Sequence, residues 1–188
     1  NDDHTLSVID CSTANVVRTI IPGGLPNALC YNPLGRKLYV TENAGDEVRV
    51  VDVASDSVIE SIKVGLRPSS LCYVPETDQV YCGNLHSRSV SVIDGATNHV
   101  VATLGTGWFP VDLGYNPAEG RVYSADGSGS VTVMRAWVPA IAERPGAAVT
   151  GRVVPTILRA PELAKMNCRV LDITGRDVTE RRERLAPG

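Results

Sequence analysis

Short runs rich in Val, Ile, Leu and Tyr follow one another along this chain, each closed by a cluster of Gly, Pro, Asn, Asp or Ser. In the middle of the sequence the runs are EVRVVDV (47–53), VIESIKV (58–64), SLCYV (70–74) and QVYCGN (79–84), with ASDS, GLRPS, PETD and LHSR between them. None has a 3.6-residue period, and β-branched and aromatic residues dominate, so the pattern predicts strands. Runs such as VRVVDV are apolar on both faces, which predicts sheets covered on both sides.

The pattern repeats. Asp10, Asp52 and Asp94 close the segments SVID, RVVD and SVID in steps of 42 residues. Gly23, Gly65 and Gly107 keep the same step, as do Pro26, Pro68 and Pro110, the tyrosines at 31, 73 and 115 and at 39, 81 and 123, and the prolines at 33, 75 and 117. Four strands in each unit of about 40 to 45 residues is the spacing of a propeller blade. The predicted fold is all-β: β-propeller blades of four antiparallel strands, about three blade-equivalents over 1–135. A Pro-, Gly- and Ala-rich linker follows at 136–156, then a short C-terminal β module at 157–188. The region begins with TLSVID and ends with SVTVMR (130–135), both third strands by position, so the last blade is expected to lack its outer strand.

The lettering Tyr39-Val40-Thr41-Glu42-Asn43, with Gly23-x-x-Pro26, Asn32-Pro33 and Val48-x-Val-Val-Asp52, resembles the YVTN family of β-propeller repeats. That resemblance implies a propeller in cell-surface or periplasmic proteins of a bacterial or archaeal envelope, and no particular chemistry. CRVLDITGRDV (168–178) is similar to the start of the C-terminal sorting module of type IX secretion, carried by Asp172, Gly175, Arg176, Val178, Pro187 and Gly188.

A formal charge of −3 supplies no basic footprint for nucleic acid, and no run of about 18 apolar residues predicts a membrane span. Five cysteines at irregular spacing define no disulfide framework. Cys30 and Cys72 hold one place in successive units, yet stacked sheets lie about 10 Å apart, beyond the roughly 7 Å limit for bridged Cα atoms. Cys72 and Cys82 fall on neighbouring strands, and their register decides whether they share a face. Cys82-x3-His86 with Glu42 fits no standard zinc spacing, and no phosphate loop or nucleophile motif is present. No catalytic residue, metal or cofactor is expected, and the chain is not expected to be an enzyme.

Asp10, Asp52 and Asp94 precede Ser-, Thr- and Asn-rich turns and are expected to accept backbone N–H bonds there. Divergence among the units is more informative. Before the repeated proline the pairs are Gly24-Leu25, Leu66-Arg67 and Trp108-Phe109, and a second variable loop reads ENAGD, GNLHSR and ADGSG. Both loops fall on one side of a blade, so Arg67, His86, Arg88, Trp108 and Phe109 are the candidate binding residues on a shared rim. The competing structural account has Trp108 and Phe109 filling the gap between blades. The expected role is non-catalytic binding or scaffolding of a protein or glycan, secreted or at the cell surface. Alternatives are a propeller enzyme of lyase or dehydrogenase type and a structural surface-layer component. Complementary half-blades at the two ends predict a strand-exchanged homodimer.

Overall fold

The computed structural model describes residues 4–136 and the strand 156–159. All its regular structure is strand apart from one 3₁₀ turn at Pro75–Thr77. A two-stranded sheet, β1 (Leu6–Asp10) and β2 (Asn15–Ile20), is followed by three four-stranded antiparallel sheets. The second sheet is β3 (Pro26–Asn32), β4 (Lys37–Glu42), β5 (Glu47–Asp52) and β6 (Ser57–Lys63). The third is β7 (Pro68–Val74), β8 (Gln79–Asn84), β9 (Ser89–Asp94) and β10 (Val100–Gly105). The fourth is β11 (Pro110–Asn116), β12 (Arg121–Asp126), β13 (Ser130–Arg135) and β14 (Thr156–Arg159). Each is a meander, with neighbouring strands in sequence paired in space, and β3, β7 and β11 lie side by side as the sheets stack.

β14 corrects one expectation. The fourth sheet has its outer strand, because Thr156–Arg159 pairs antiparallel with β13, Ser130 opposite Arg159 and Val133 opposite Thr156. That strand straddles the division drawn at 156/157 between linker and C-terminal module, so the last sheet recruits a strand from beyond the Pro- and Gly-rich stretch. An edge left open for strand exchange is therefore not present on β13. The segment 168–188, with its sorting-module-like motif, lies outside the described residues.

Stacking explains why both faces are apolar. Tyr39, Val48, Val50 and Ile62 of the second sheet pack on Val80, Cys82 and Ile93 of the third. On its other face the third sheet sets Tyr81, Val90, Val92 and Leu104 against Leu113, Val122 and Met134. Ile20 joins Val40 and Val51 between the first two sheets. A fully buried aliphatic or aromatic side chain contributes roughly 1.5–3 kcal/mol, so these interfaces hold the stack. Tyr31 is 50% exposed, with Leu29 beside it on β3 at 55%, because the first sheet sets no inner strands against them.

Backbone detail keeps the 42-residue step. Left-handed φ recurs at Ala14, Asp56 and Asn98, at His4, Asp46 and Arg88, at Arg36, Asp78 and Gly120, and at Arg67 and Phe109. Asp46, Arg88, Arg36, Asp78 and Gly120 stand in turns that need one residue of positive φ, and Arg67 and Phe109 stand in the segments that lead into β7 and β11. Gly65 and Gly107 have another reason to recur: a Cβ on Gly65 would lie 2.7 Å from the Asn84 side chain, and one on Gly107 2.6 Å from Asp126. Register shifts recur as well, leaving Val17, Ile59 and Val101 as the extra residue of β2, β6 and β10.

Cys72 pairs across the ladder with Tyr81, and Cys82 with Leu71, so the two thiols point to opposite faces of the third sheet. Cys11, Cys30, Cys72 and Cys82 are all free. Burial pushes the Cys30 thiol up to about 12 and that of Cys72 to about 11, which leaves both protonated and inert.

Candidate functional site

The three repeated aspartates are placed in turns. Asp10 Oδ1 accepts from Ser12 N at 2.7 Å and Thr13 N at 3.1 Å, Asp52 Oδ1 from Ala54 N at 3.1 Å and Ser55 N at 2.8 Å, and Asp94 Oδ1 from Thr97 N at 2.7 Å. Hydrogen bonds from the serine hydroxyls and turn amides hold the Asp10 and Asp52 carboxyls below their ordinary values. The turns they brace carry the left-handed residues Asp56 and Asn98. Asp56 accepts from Arg18 of the preceding sheet at 2.8 Å, and Asn98 donates to Glu60 of the preceding sheet at 2.6 Å. Sequence reasoning missed this contact, although Arg18 and Glu60, like Asp56 and Asn98, are 42 residues apart. Asn98 also accepts from Lys37 Nζ at 3.0 Å and from the Tyr39 hydroxyl at 2.8 Å.

At the opposite end of the sheets the two variable loops meet. Leu85 N donates to Arg67 O at 3.0 Å and His86 N to Leu66 O at 3.1 Å; Gly127 N donates to Phe109 O at 2.8 Å. The segment that leads into each sheet's first strand is thus bonded to the β-turn loop of its own sheet, forming one rim. The same segment also leans back on the loop of the sheet before. Between the second and third sheets that contact is polar: Arg67 N donates to Asp46 Oδ1 at 2.8 Å and Arg67 Nε to Asn43 Oδ1 at 3.0 Å. Between the third and fourth it is aromatic and cationic. The Arg88 guanidinium lies 3.0 Å from the Trp108 ring centroid, Phe109 sits 6.0 Å from Trp108 at 56°, and His86 meets Phe109 edge-on at 6.1 Å.

Four of the five candidate binding residues, His86, Arg88, Trp108 and Phe109, therefore form one cluster. Arg67 stands on the same rim one sheet earlier, engaged with Asn43 and Asp46. All five are exposed, Trp108 by 50% and Phe109 by 42%. These aromatics do lie where two sheets meet, as the competing account has it, but both residues remain exposed rather than buried there.

Position in the loop fixes the geometry. Arg88 takes φ 49° and Phe109 φ 57°, and the Arg88 carbonyl accepts from Thr106 N at 2.9 Å. Gly107 N donates to Thr132 Oγ1 at 3.1 Å, which seats the backbone just before Trp108. Beneath the rim, Asp126 turns inward to the hydroxyls of Ser124 at 2.8 Å and Thr132 at 2.7 Å, and Glu42 accepts from Leu25 N at 2.7 Å. Those carboxylates serve the loops. Cys82 is buried, with its thiol held protonated by burial and 3.7 Å from Asn84 Oδ1. It does not join His86 and Glu42, and among the described residues no three His, Cys, Asp or Glu side chains converge to hold a metal ion.

No known protein family model and no curated protein matches the chain. Solved structures do match in fold. Hydrazine synthase from Kuenenia stuttgartiensis aligns with a TM-score of 0.56 at 24% identity over 64% of this chain and 35% of its own. A functionally unknown protein from Desulfotomaculum acetoxidans aligns with a TM-score of 0.65 at 14% identity over 81% of this chain and 47% of its own. The chain thus spans less than half the length of either. At these identities the likeness concerns architecture alone: the chain is a multi-sheet all-β protein whose stacked four-stranded antiparallel sheets are compatible with the blades of a propeller.

Proposed function

We propose that this chain is a stretch of β-propeller of YVTN type, secreted or displayed at a cell surface, whose role is non-catalytic binding through the rim of the third and fourth sheets. One observation carries the reading. His86, Arg88, Trp108 and Phe109 come together where the repeat diverges, and they remain exposed rather than buried between sheets. Exposed aromatics beside an arginine are the composition of energetic centres in binding surfaces.

Capture of envelope components on immobilised protein tests it, with the wild type compared against Arg67→Ala/Trp108→Ala and against Arg88→Ala. Loss of capture by folded variants is the expected result. Undiminished capture would take these residues out of the site.

A second reading, self-association, is favoured by one face. Tyr123, Val131 and Val133 occupy on the fourth sheet the places that Tyr81, Val90 and Val92 occupy on the third, where all three are fully buried, and yet they are only half-buried. A second copy stacking there would cover them. Light scattering behind a sizing column should then give twice the 20.0 kDa chain mass; a monomer at all concentrations would exclude that packing.

A further inference from the structure

We propose that the stacked pair Arg88–Trp108 is an anchor for a carboxylate carried on a sugar ring, so that the ligand of the rim is a polysaccharide rich in uronic acids. This rests on the reading of the rim as a binding surface and assigns its ligand chemistry.

Ion pairs among the described residues engage Arg18, Arg49, Lys63 and Arg121, and neither an ion pair nor a side-chain hydrogen bond engages Arg88. Its guanidinium lies on the indole of Trp108 instead. A guanidinium held over an aromatic face still has its five N–H donors to offer, because the ring supplies no acceptor for them. Stacking also removes rotamer freedom that a free arginine would lose on binding, so the fork is set in advance for a bidentate carboxylate. The backbone is fixed too, since Arg88 O accepts from Thr106 N and the neighbouring His86 N donates to Leu66 O.

Comparison within the chain shows that this cation is not needed for the contact between loops. The residue 42 positions earlier is Asp46, which accepts the Arg67 amide and so spends its charge on that contact. At Arg88 the sign is reversed, and among the described residues no acid pairs with it.

A ring is implicated alongside the charge. Trp108 and Phe109 are exposed, adjacent and tilted to each other, so aromatic surface lies beside the guanidinium that covers one face of the indole. Aromatic faces are negative, and they attract the polarised C–H groups on the face of a pyranose. A uronate places such a face and a carboxylate on one rigid residue, within reach of both the rings and the fork. Aspartate and glutamate side chains carry the carboxylate but no ring, so an acidic peptide would engage the fork alone.

The test uses the two-tryptophan chain with Trp137→Phe, so that Trp108 is the sole indole emitter. Polygalacturonate, neutral dextran and poly-L-glutamate are titrated while its fluorescence is followed. A saturable change with polygalacturonate is expected, weakened about tenfold in Arg88→Gln, weakened less in Arg88→Lys, and diminished at high salt. Calorimetry on Trp108→Ala should show no binding. An equal response to dextran would overturn the role of charge, an equal response to polyglutamate would make the ligand an acidic protein, and no response to any of the three would overturn the proposal outright. Should polygalacturonate fail while Trp108→Ala still loses envelope capture, the rim remains a binding surface and only its assigned ligand is wrong.

Discussion

The contact between the second and third sheets and the contact between the third and fourth are built on the same positions with opposite chemistry. In the first, Arg67 reaches back to Asn43 and Asp46; in the second, Trp108 and Phe109 reach back to Arg88 and His86. The foot of the first is equally polar, with Asn98 gathering Lys37, Tyr39 and Glu60. A foot-level bond on the second interface instead joins the Tyr115 hydroxyl to Glu76 at 2.7 Å. The repeat thus specifies where sheets touch and leaves the means open. Where polar groups satisfy one another the surface has nothing left to offer, and where an arginine rests on an indole its donors stay available.

Truncations of the repeated tyrosine should separate the two faces most strongly. Tyr39 is fully buried between sheets, so Tyr39→Ala should cost about 3–5 kcal/mol in a urea melt, whereas Tyr123→Ala, on the half-covered face of the fourth sheet, should cost about 1–2 kcal/mol. Equal losses would mean that the last face is as well packed as the inner ones.

Removing Asn98 leaves Lys37 Nζ, the Tyr39 hydroxyl and Glu60 each short of a partner. Asn98→Ala should therefore destabilise by about 1–3 kcal/mol, with Tyr39→Phe adding little on top because the two share one network. Additive losses in a double-mutant cycle would show that the groups act separately.

Smaller effects are expected on the rim. Trp108→Ala should lower stability by about 1 kcal/mol through loss of the arginine stack, and Arg67→Ala by no more than about 0.5 kcal/mol, since its bonds are exposed. If Trp108→Ala proved as damaging as a core substitution, the aromatic pair would be a structural plug and the binding reading would lose its basis.

The least effect is that of pH on the braced turns. The Asp52 carboxyl is held below its ordinary value by hydrogen bonds from Ser55 and Ala54. Its stabilising contribution is therefore present above about pH 3.9, the ordinary aspartate value, and is lost as pH falls through the lowered folded value. The stability gap between wild type and Asp52→Ala should narrow below about pH 4; a gap that stayed constant to pH 2.5 would detach the turn from the carboxylate.

Much of this architecture is legible in the sequence because each strand carries its own signal. EVRVVDV and QVYCGN match β5 and β8 almost residue for residue, and the repeated aspartates stand in the turns their neighbours suggested. The rim cluster is legible for a related reason: internal copies reveal which positions vary. What escaped has physical causes. β14 lies past a Pro- and Gly-rich stretch, so no period points to it. The loop 127–129 is one residue shorter than 85–88, which sets Val133, not Met134, opposite Tyr123. The lower contact from Glu60 to Asn98 hides because Arg18 with Asp56 performs it using different side chains.

The extra residues Val17, Ile59 and Val101 bear on how such a chain stays dispersed. Each sits on a fourth-position strand, β2, β6 or β10, next to Val16, Val58 or Val100, and all six side chains face solvent. Flat apolar borders of that kind are templates on which strands of other molecules add and grow into fibres. A bulge coils the border locally and breaks the even spacing of its free amides and carbonyls. Recurring on the borders of the first three sheets, it denies a docking strand more than a few consecutive bonds there, so an apolar flank need not become a growth face.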